Sequence, residues 1–322
     1  VTSVTPQTTG PQPDAKPVPA HRVAPPHVRR SRPRLLEIVI KAWGRPSGRA
    51  SMIGLGILFA VAIFAPWIAP QDPAEQDLLG ANQAPSWLGG TGGLLGTDGL
   101  GRDVLSRIIF GLRLSLVVGV SAATISAIIG LALGVLAGYY EKGLGTVLMR
   151  IADIQFAIPF TAVGIALTAV LGPGVVGLIL ILGIWGWTTY ARTIVSTVEQ
   201  TRRLDFVIAA RTLGASAPRI MTKHISPSVL APVIVLWSTS AGVLVLAESA
   251  LSLLGLGVQP PFFSLGSMLA DAQLNLRLAP WAAIAPGLVL MAIVLAFNTL
   301  GDALRDSFDP RATKVSFDPE LS

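Results

Sequence analysis

Glu248 and Asp153 are acidic side chains standing within long apolar runs of this sequence. An intramembrane carboxylate is costly unless it is paired or faces a water-filled cavity, so both are candidates for function, for instance as cation or proton sites. A structural alternative stands beside this for Glu248. The Gly/Pro-rich stretch "GLGVQPP" that follows leaves backbone groups in need of partners, and a carboxylate can supply one. Asp153, with Gln155 next to it, poses the same question. The three histidines, His21, His27 and His224, are scattered and form no evident metal or catalytic arrangement. Without cysteine there are no disulfides, thiolate zinc sites or cysteine nucleophiles. No phosphate loop of the form G-x-x-x-x-G-K-[ST] occurs, so this chain does not supply ATP hydrolysis. An intramembrane enzyme lacks its nucleophile–base or metal constellation here.

The elements that must position these residues are apolar and long. Hydrophobic residues make up 52% of the 322 residues and charged residues only 13%, and the mean hydropathy is +0.64. These values describe a polytopic membrane protein. A helix needs about 20 mainly apolar residues to cross the bilayer. Six stretches qualify, namely residues 52–69, 112–139, 147–171, 175–190, 229–253 and 281–300. The second is long enough to tilt or project beyond the bilayer, and the fourth is the shortest. Six spans place both termini on one side. Arg22, Arg29, Arg30, Arg32, Arg34, Lys41, Arg45 and Arg49 precede the first span, and Arg192, Arg202, Arg203, Arg211, Arg219 and Lys223 fall between the fourth and fifth. The opposite loops hold only Arg102, Arg107 and Arg277, so the excess of positive charge puts the termini in the cytoplasm. The net charge of +6 reflects this topology; the basic residues form no continuous face for a nucleic acid.

The stretch "DFVIAARTLGASAPRIMTKHISP", Asp205 to Pro227, interrupts the apolar runs. Phe206, Ala209, Ala210 and Leu213 recur at helical spacing, with Arg203, Asp205 and Arg211 off that face. Gly214 supplies the stop, since left-handed φ costs glycine nothing. Ser216 caps a second helix with Pro218 in its first turn and Ile220, Met221 and Ile225 as its stripe. Pro227 marks the exit into the fifth span. Periodicity alone leaves two readings open: an interfacial helix touching lipid headgroups, or a docking element for a soluble partner.

This stretch resembles the cytoplasmic "EAA" loop of permease subunits of bacterial ABC importers, in which E-A-A is followed after three residues by Gly and after nine more by I-x-L-P. Ala209, Ala210, Gly214 and Pro227 match in register. Ile208 stands where Glu is usual, His224 where Ile is usual and Ser226 where Leu is usual. Three further segments, "LLGTDGLGRDVLSRIIFGLRLSL", "LAESALSLLGLGVQPPFFSLGSMLADA" and "APWAAIAPGLVLMAIVLAFNTLGDALRDSFDPR", resemble the dipeptide/oligopeptide subgroup, of the DppC/OppC type. The resemblance implies an all-α type I importer permease with six transmembrane helices in the bacterial inner membrane. It also implies a coupling helix at Asp205, Ala209, Ala210, Arg211, Gly214 and Pro227 that seats in an ATPase subunit. The implied partners are a second homologous permease, two ATPase subunits that bind ATP and magnesium, an extracytoplasmic peptide-binding protein, and membrane lipid. No cofactor is expected in this chain. Related permeases carry nickel complexes, glutathione or glycosides, so these solutes stay open beside peptides.

The chain then divides into a Pro/Arg-rich disordered tail (1–40), a first span with its outer loop (41–111), a permease core (112–302) holding the coupling loop 202–227, and a C-terminal tail (303–322). In "GTDGLGRDVLSR", Asp98, Gly99 and Gly101 predict a turn, and Asp103 to Arg107 the start of a short helix leading into the second span, with Asp and Arg satisfying each other. Glycines in "GLALGVLAG", 130–138, predict close helix packing. A rival reading, an ion-coupled secondary transporter using Glu248 and Asp153, would need inverted halves, and no convincing internal repeat is visible.

Overall fold

The computed structural model describes residues 35–308. Its helices are α1 (Leu35–Trp43), α2 (Pro46–Ile63), α3 (Ala65–Ile68), α4 (Val104–Tyr139), α5 (Leu144–Ala157), α6 (Phe160–Leu171), α7 (Val175–Trp185), α8 (Trp187–Thr201), α9 (Asp205–Thr212), α10 (Ala217–Arg219), α11 (Ser226–Leu253), α12 (Leu265–Ala272) and α13 (Trp281–Phe308). Among the described residues the one β feature is an isolated bridge from Thr97 to Asp103. The expected all-α polytopic architecture is therefore present. Five helical runs, α2, α4, α7–α8, α10–α11 and α13, are long and apolar enough to cross a membrane, and α5–α6 makes a sixth if its two arms count as one span. Residues 69–103 and 254–280 gather at one end of the bundle, the cap end; residues 202–225 lie at the other, the loop end.

The bundle is built around α4, which packs against α2, α7, α8 and α11, while α13 packs against α2 and α11. Close approach of α4 to α8 follows from the sequence. Gly130, Gly134 and Gly138 present one smooth stripe, and a Cβ there would fall 2.4 Å from Tyr190 Cβ, 2.8 Å from Ile194 Cβ and 2.7 Å from Val198 Cβ. Small residues four apart let helix backbones meet in lipid, where hydrophobic burial adds no drive. Tyr190, Ile194 and Val198 continue into an apolar cluster with Val207, Ile220, Ile225 and Val229, so the same seam that joins α4 to α8 anchors the loop end. A second cluster joins Leu112 and Leu116 of α4, Val245 of α11, Ile293 and Phe297 of α13, and Leu265 and Met268 of α12.

Several boundaries differ from the sequence expectation. The span expected over 147–171 is two helices bent by 94°. Pro159 has no N–H and forces Ile158 out of helical geometry, to φ −97°, ψ 127°. The short fourth span instead continues through Gly186, which stays helical at φ −72°, ψ −10°, and ends at Thr201. Arg192, assigned above to a loop, therefore lies inside α8. No separate lead-in helix precedes the second span: Val104–Tyr139 is one helix of 36 residues, about 54 Å long at 1.5 Å per residue, which must project beyond the bilayer. The expected tail 1–40 overlaps α1, because the apolar run "LLEIVIKAW" buries Ile38 and Ala42 against α13. Residues 1–34 and 309–322 lie outside the described residues, whereas 303–308 complete α13.

Candidate functional site

The 202–227 segment adopts the expected helix–break–helix form in its first half. Asp205 opens α9 and Arg211 sits in its last turn, each placed favourably for the helix dipole. Gly214 has φ +82°; its N–H reaches Arg211 O at 3.0 Å and the Ala215 N–H reaches Ala210 O at 3.0 Å. A Cβ on Gly214 would meet nothing within 4 Å, so the backbone angle alone demands glycine. The second half departs from expectation. Ser216 has extended geometry but makes no side-chain cap, and the chain winds through a π-helical stretch, Ile220–Ile225, directly into α11. Pro227 marks the passage into the fifth span, though with no break before it. It sits in the first turn of α11, where its missing N–H is tolerated, and the wider π turn absorbs the change of register.

The face that α9 buries also differs. Val207 is its buried side chain, packed in the cluster with Ile220 and Ile225. Phe206 and Ile208 are half exposed and Leu213 is 88% exposed, with Ala209 open and Ala210 half-buried between them. Among the described residues, the stripe is therefore largely exposed, with Phe206 alone lying beside another ring, that of His224 at 6.3 Å between centroids. Arg202 donates to Tyr139 O at 3.0 Å and pairs with Glu141, which holds the base of the segment to the end of α4. A hollow of about 610 Å³ lies beside it, lined by Tyr139, Tyr140, Arg202, Arg203, Ile208 and Arg211 among others.

Glu248 and Asp153 occupy unlike sites. Glu248 is fully buried and takes hydrogen bonds from Ser252 Oγ at 2.7 Å, Ser115 Oγ at 3.2 Å and Ser249 Oγ at 3.5 Å. Its partners are hydroxyls, not the loop backbone expected from "GLGVQPP". Through them it reaches α12: Ser115 Oγ also accepts from Leu265 N at 3.2 Å, and Ser252 meets Ser264, the residue that caps α12. Asp153, by contrast, is half exposed and lies between two arginines, 2.5 Å from Arg192 Nη2 and 3.7 Å from Arg150 Nη1. Gln155 beside it bonds Trp185 O at 2.5 Å and accepts from Trp187 Nε1 at 2.9 Å, fastening α5 to the α7–α8 junction. Serine hydroxyls around one carboxylate and guanidiniums beside the other make neither a cation cage.

A charge cluster at the cap end, buried at Asp98 and Arg107 and half exposed at Asp271, goes beyond the expected Asp–Arg lead-in. Asp98 Oδ2 accepts from Arg102 Nε at 2.8 Å and Arg107 Nη1 at 2.5 Å, while Asp271 Oδ2 takes Nη2 of both arginines at 2.9 Å each. The Arg107 guanidinium also lies 5.3 Å from the Phe263 ring centroid. Burial pushes the Asp98 carboxyl up; Arg107, Arg102 and the backbone amides of Leu100 and Arg102 outweigh it and hold the group below the usual carboxylate range. Asp103 does not join the cluster; it caps α4, accepting from Ser106 N at 2.7 Å. A cavity of about 640 Å³ adjoins the cluster, with Gln259, Phe262 and Asn275 in its wall.

The described residues thus form a helical bundle with one broken span, a salt-bridged cap end and a loop end whose apolar residues stand largely exposed. The comparisons give the family. The chain belongs to the binding-protein-dependent transport system inner membrane components, whose family model matches residues 130–314. Residues 45–85 match the N-terminal TM domain of oligopeptide transport permease C. The chain is similar to the di/tripeptide transport system permease protein DppC of Pseudomonas aeruginosa (strain UCBPP-PA14), 42% identical over 80% of this chain and 87% of that protein. It is similar also to the dipeptide transport system permease protein DppC of Haemophilus influenzae, 37% identical over 82% and 91%. The glutathione transport system permease protein GsiD of Pectobacterium atrosepticum is 37% identical over 79% and 84%. Among solved structures, a chain of the MetNI methionine ABC transporter in inward-facing conformations matches 62% of this chain and 96% of its own length, at 19% identity and a TM-score of 0.48.

Proposed function

We propose that this chain is the permease subunit of an ATP-driven importer for di- or oligopeptides, and that it passes them through the inner membrane without catalysing hydrolysis itself. The observation that carries the reading is α9: seated by Val207 and Arg202, stopped by Gly214, and leaving Ile208 and Leu213 exposed, with Phe206 half exposed beside the His224 ring, among the described residues. An apolar face so held is suited to transmit a push from a soluble subunit. Asp205, Ala209, Ala210, Arg211 and Gly214 form this coupling element, and Pro227 starts the span it moves. Ile208, in place of the usual glutamate, meets the partner by packing. Two ATPase subunits hold ATP and magnesium, a second homologous permease completes the pathway, and an extracytoplasmic binding protein delivers the peptide. Both termini lie in the cytoplasm, which makes the loop end the cytoplasmic end.

Peptide is the substrate favoured by the relatives named for di- and tripeptides; glutathione, itself a small peptide, is a second reading favoured by the relatives named for it. The pairing of Asp153 with arginines and of Glu248 with hydroxyls speaks against an ion-coupled carrier. The test is uptake by proteoliposomes holding this chain with its genomic neighbours, preceded by native mass spectrometry. ATP-dependent accumulation of a dipeptide by a complex with two permeases and two ATPase subunits is the expected result. Accumulation by the chain alone on an ion gradient would overturn the reading.

A further inference from the structure

The broken span raises a question that the importer reading does not answer: what lies against α5 and α6? Asp153 and Arg192 lie at matching depth, each about two and a half turns in from the cytoplasmic end of its helix, at Leu144 and Thr201. Both are 48% exposed on the surface of this chain, and Arg150 nearby is 78% exposed. Lipid cannot cover such a surface. Charged groups inside a bilayer face protein or water, and non-helical backbone such as the Ile158–Pro159 break is tolerated only where it is buried in protein or lines a water-filled cavity.

The chemistry of the group narrows the choice further. Arg192 is held on two sides, by Asp153 at 2.5 Å and by the Phe156 ring, whose centroid is 4.7 Å from the guanidinium carbon. One carboxylate thus faces two guanidiniums, both of which keep exposed surface. Past the Ile158–Pro159 break, Phe160 packs on Trp185 with centroids 6.1 Å apart. We infer that Asp153 and Arg192, assisted by Arg150, form a site on the translocation pathway for the two charged ends of a zwitterionic peptide. Asp153 takes the terminal ammonium, and Arg192 with Arg150 takes the terminal carboxylate. Every short peptide carries this charge pair whatever its side chains, so the site tolerates any sequence while still requiring free termini. When no peptide is present Asp153 and Arg192 neutralise each other, and the charge of Arg150 stays at the exposed edge of the group. The inference rests on the peptide-importer reading and deepens it.

The chain has no native cysteine, which makes a clean test possible. Ala157→Cys places a single thiol one turn beyond Asp153, on the exposed surface of α5. The assembled importer, with cysteine-free partners, is treated with a charged, membrane-impermeant thiol reagent during ATP-driven uptake of alanyl-alanine. Labelling that the dipeptide slows is expected, as is loss of that protection when Arg192→Gln or Asp153→Asn is added. Uptake KM should rise about tenfold in each neutral variant, the loss of one charge-assisted contact. Arg192→Lys, which keeps the charge, should recover part of the loss. A thiol that never reacts would place the pair in a dry subunit interface and overturn the inference. So would labelling with unchanged KM and unchanged protection in both neutral variants. Wild-type importer that accumulates no dipeptide would instead overturn the peptide reading itself, whatever the labelling.

Discussion

The two ends of the molecule satisfy their polar and apolar groups in opposite ways. At the cap end, Asp98, Arg102, Arg107 and Asp271 complete one another within the chain, and the α12 helix is fastened through Ser264, Ser252 and Ser115 to the buried Glu248. At the loop end, α9 is attached by Val207 and by Phe206 beside the His224 ring, and among the described residues Ile208 and Leu213 stand exposed. The cap end therefore has its shape fixed by internal contacts. The loop end has its position fixed and, on the function proposed here, its surface left for another protein. Substitutions at the two ends should separate accordingly, those at the cap lowering the stability of the chain and those at the loop lowering transport with the chain intact.

The largest effect is expected from Arg107→Ala. Removing a guanidinium that is almost wholly buried leaves Asp98 with one cation and Asp271 more weakly held, at a cost of about 3 kcal/mol. Thermal unfolding in mild detergent measures it; a fall much below that cost would mean that the cavity beside the cluster admits water and that the cap is not sealed. The same cluster sets a pH dependence. The folded-state pKa of Asp98 is depressed below the ordinary 3.8, so its stabilisation is fully present above that value and disappears as the pH falls through the lower, folded value. Protection of the 96–107 amides against hydrogen exchange, corrected for intrinsic rates, should be flat from neutrality to about pH 5 and fall only in stronger acid.

Glu248→Ala ranks next, at about 2–3 kcal/mol, because it leaves a cavity and strips serine hydroxyls of their acceptor. Glu248→Gln keeps the shape and one carbonyl oxygen and should cost about 1 kcal/mol. Unfolding of both variants, followed together with dipeptide uptake, sharpens the contrast. Uptake that is abolished in a stably folded Glu248→Gln protein would turn a structural fastener into an ionisable functional site.

What the sequence revealed and what it hid follow from the range of the interactions. The apolar spans, the Gly214 stop and the Gly130, Gly134, Gly138 stripe are local patterns, and local geometry enforces them. Pro159 was equally visible, yet the apolar run around it reads as a single span; only the observed bend of 94° shows that the proline wins over hydropathy. Arg192 was hidden by the same habit, since a charge tends to end a predicted span, and its partner Asp153 sits on another helix 39 positions earlier in the chain. Asp271 meets Arg107 across a separation of 164 residues. No periodicity reports such a pair, since Arg107 lies in the first turn of α4 and Asp271 in α12. The Phe206–Leu213 stripe was legible as apolar but not as uncovered, because periodicity gives a face and not what lies against it.

The smallest effects on the chain itself, and the most direct test of the contrast between its ends, belong to the loop. A side chain at Gly214 clashes with nothing, so Gly214→Val acts only through its φ of +82°, a strain of about 1–2 kcal/mol confined to the break between α9 and α10. Chain stability should fall by no more than that strain, whereas uptake should fall about tenfold as the helix loses its fixed angle to α11. Leu213→Ser removes an exposed side chain and should alter chain stability by less than about 0.5 kcal/mol. Its cost should appear in assembly, as roughly tenfold weaker retention of the ATPase subunits, the value of one leucine lost from an apolar contact. If Leu213→Ser instead destabilises the isolated chain and leaves assembly intact, the residue is covered from within, and the loop end resembles the cap after all.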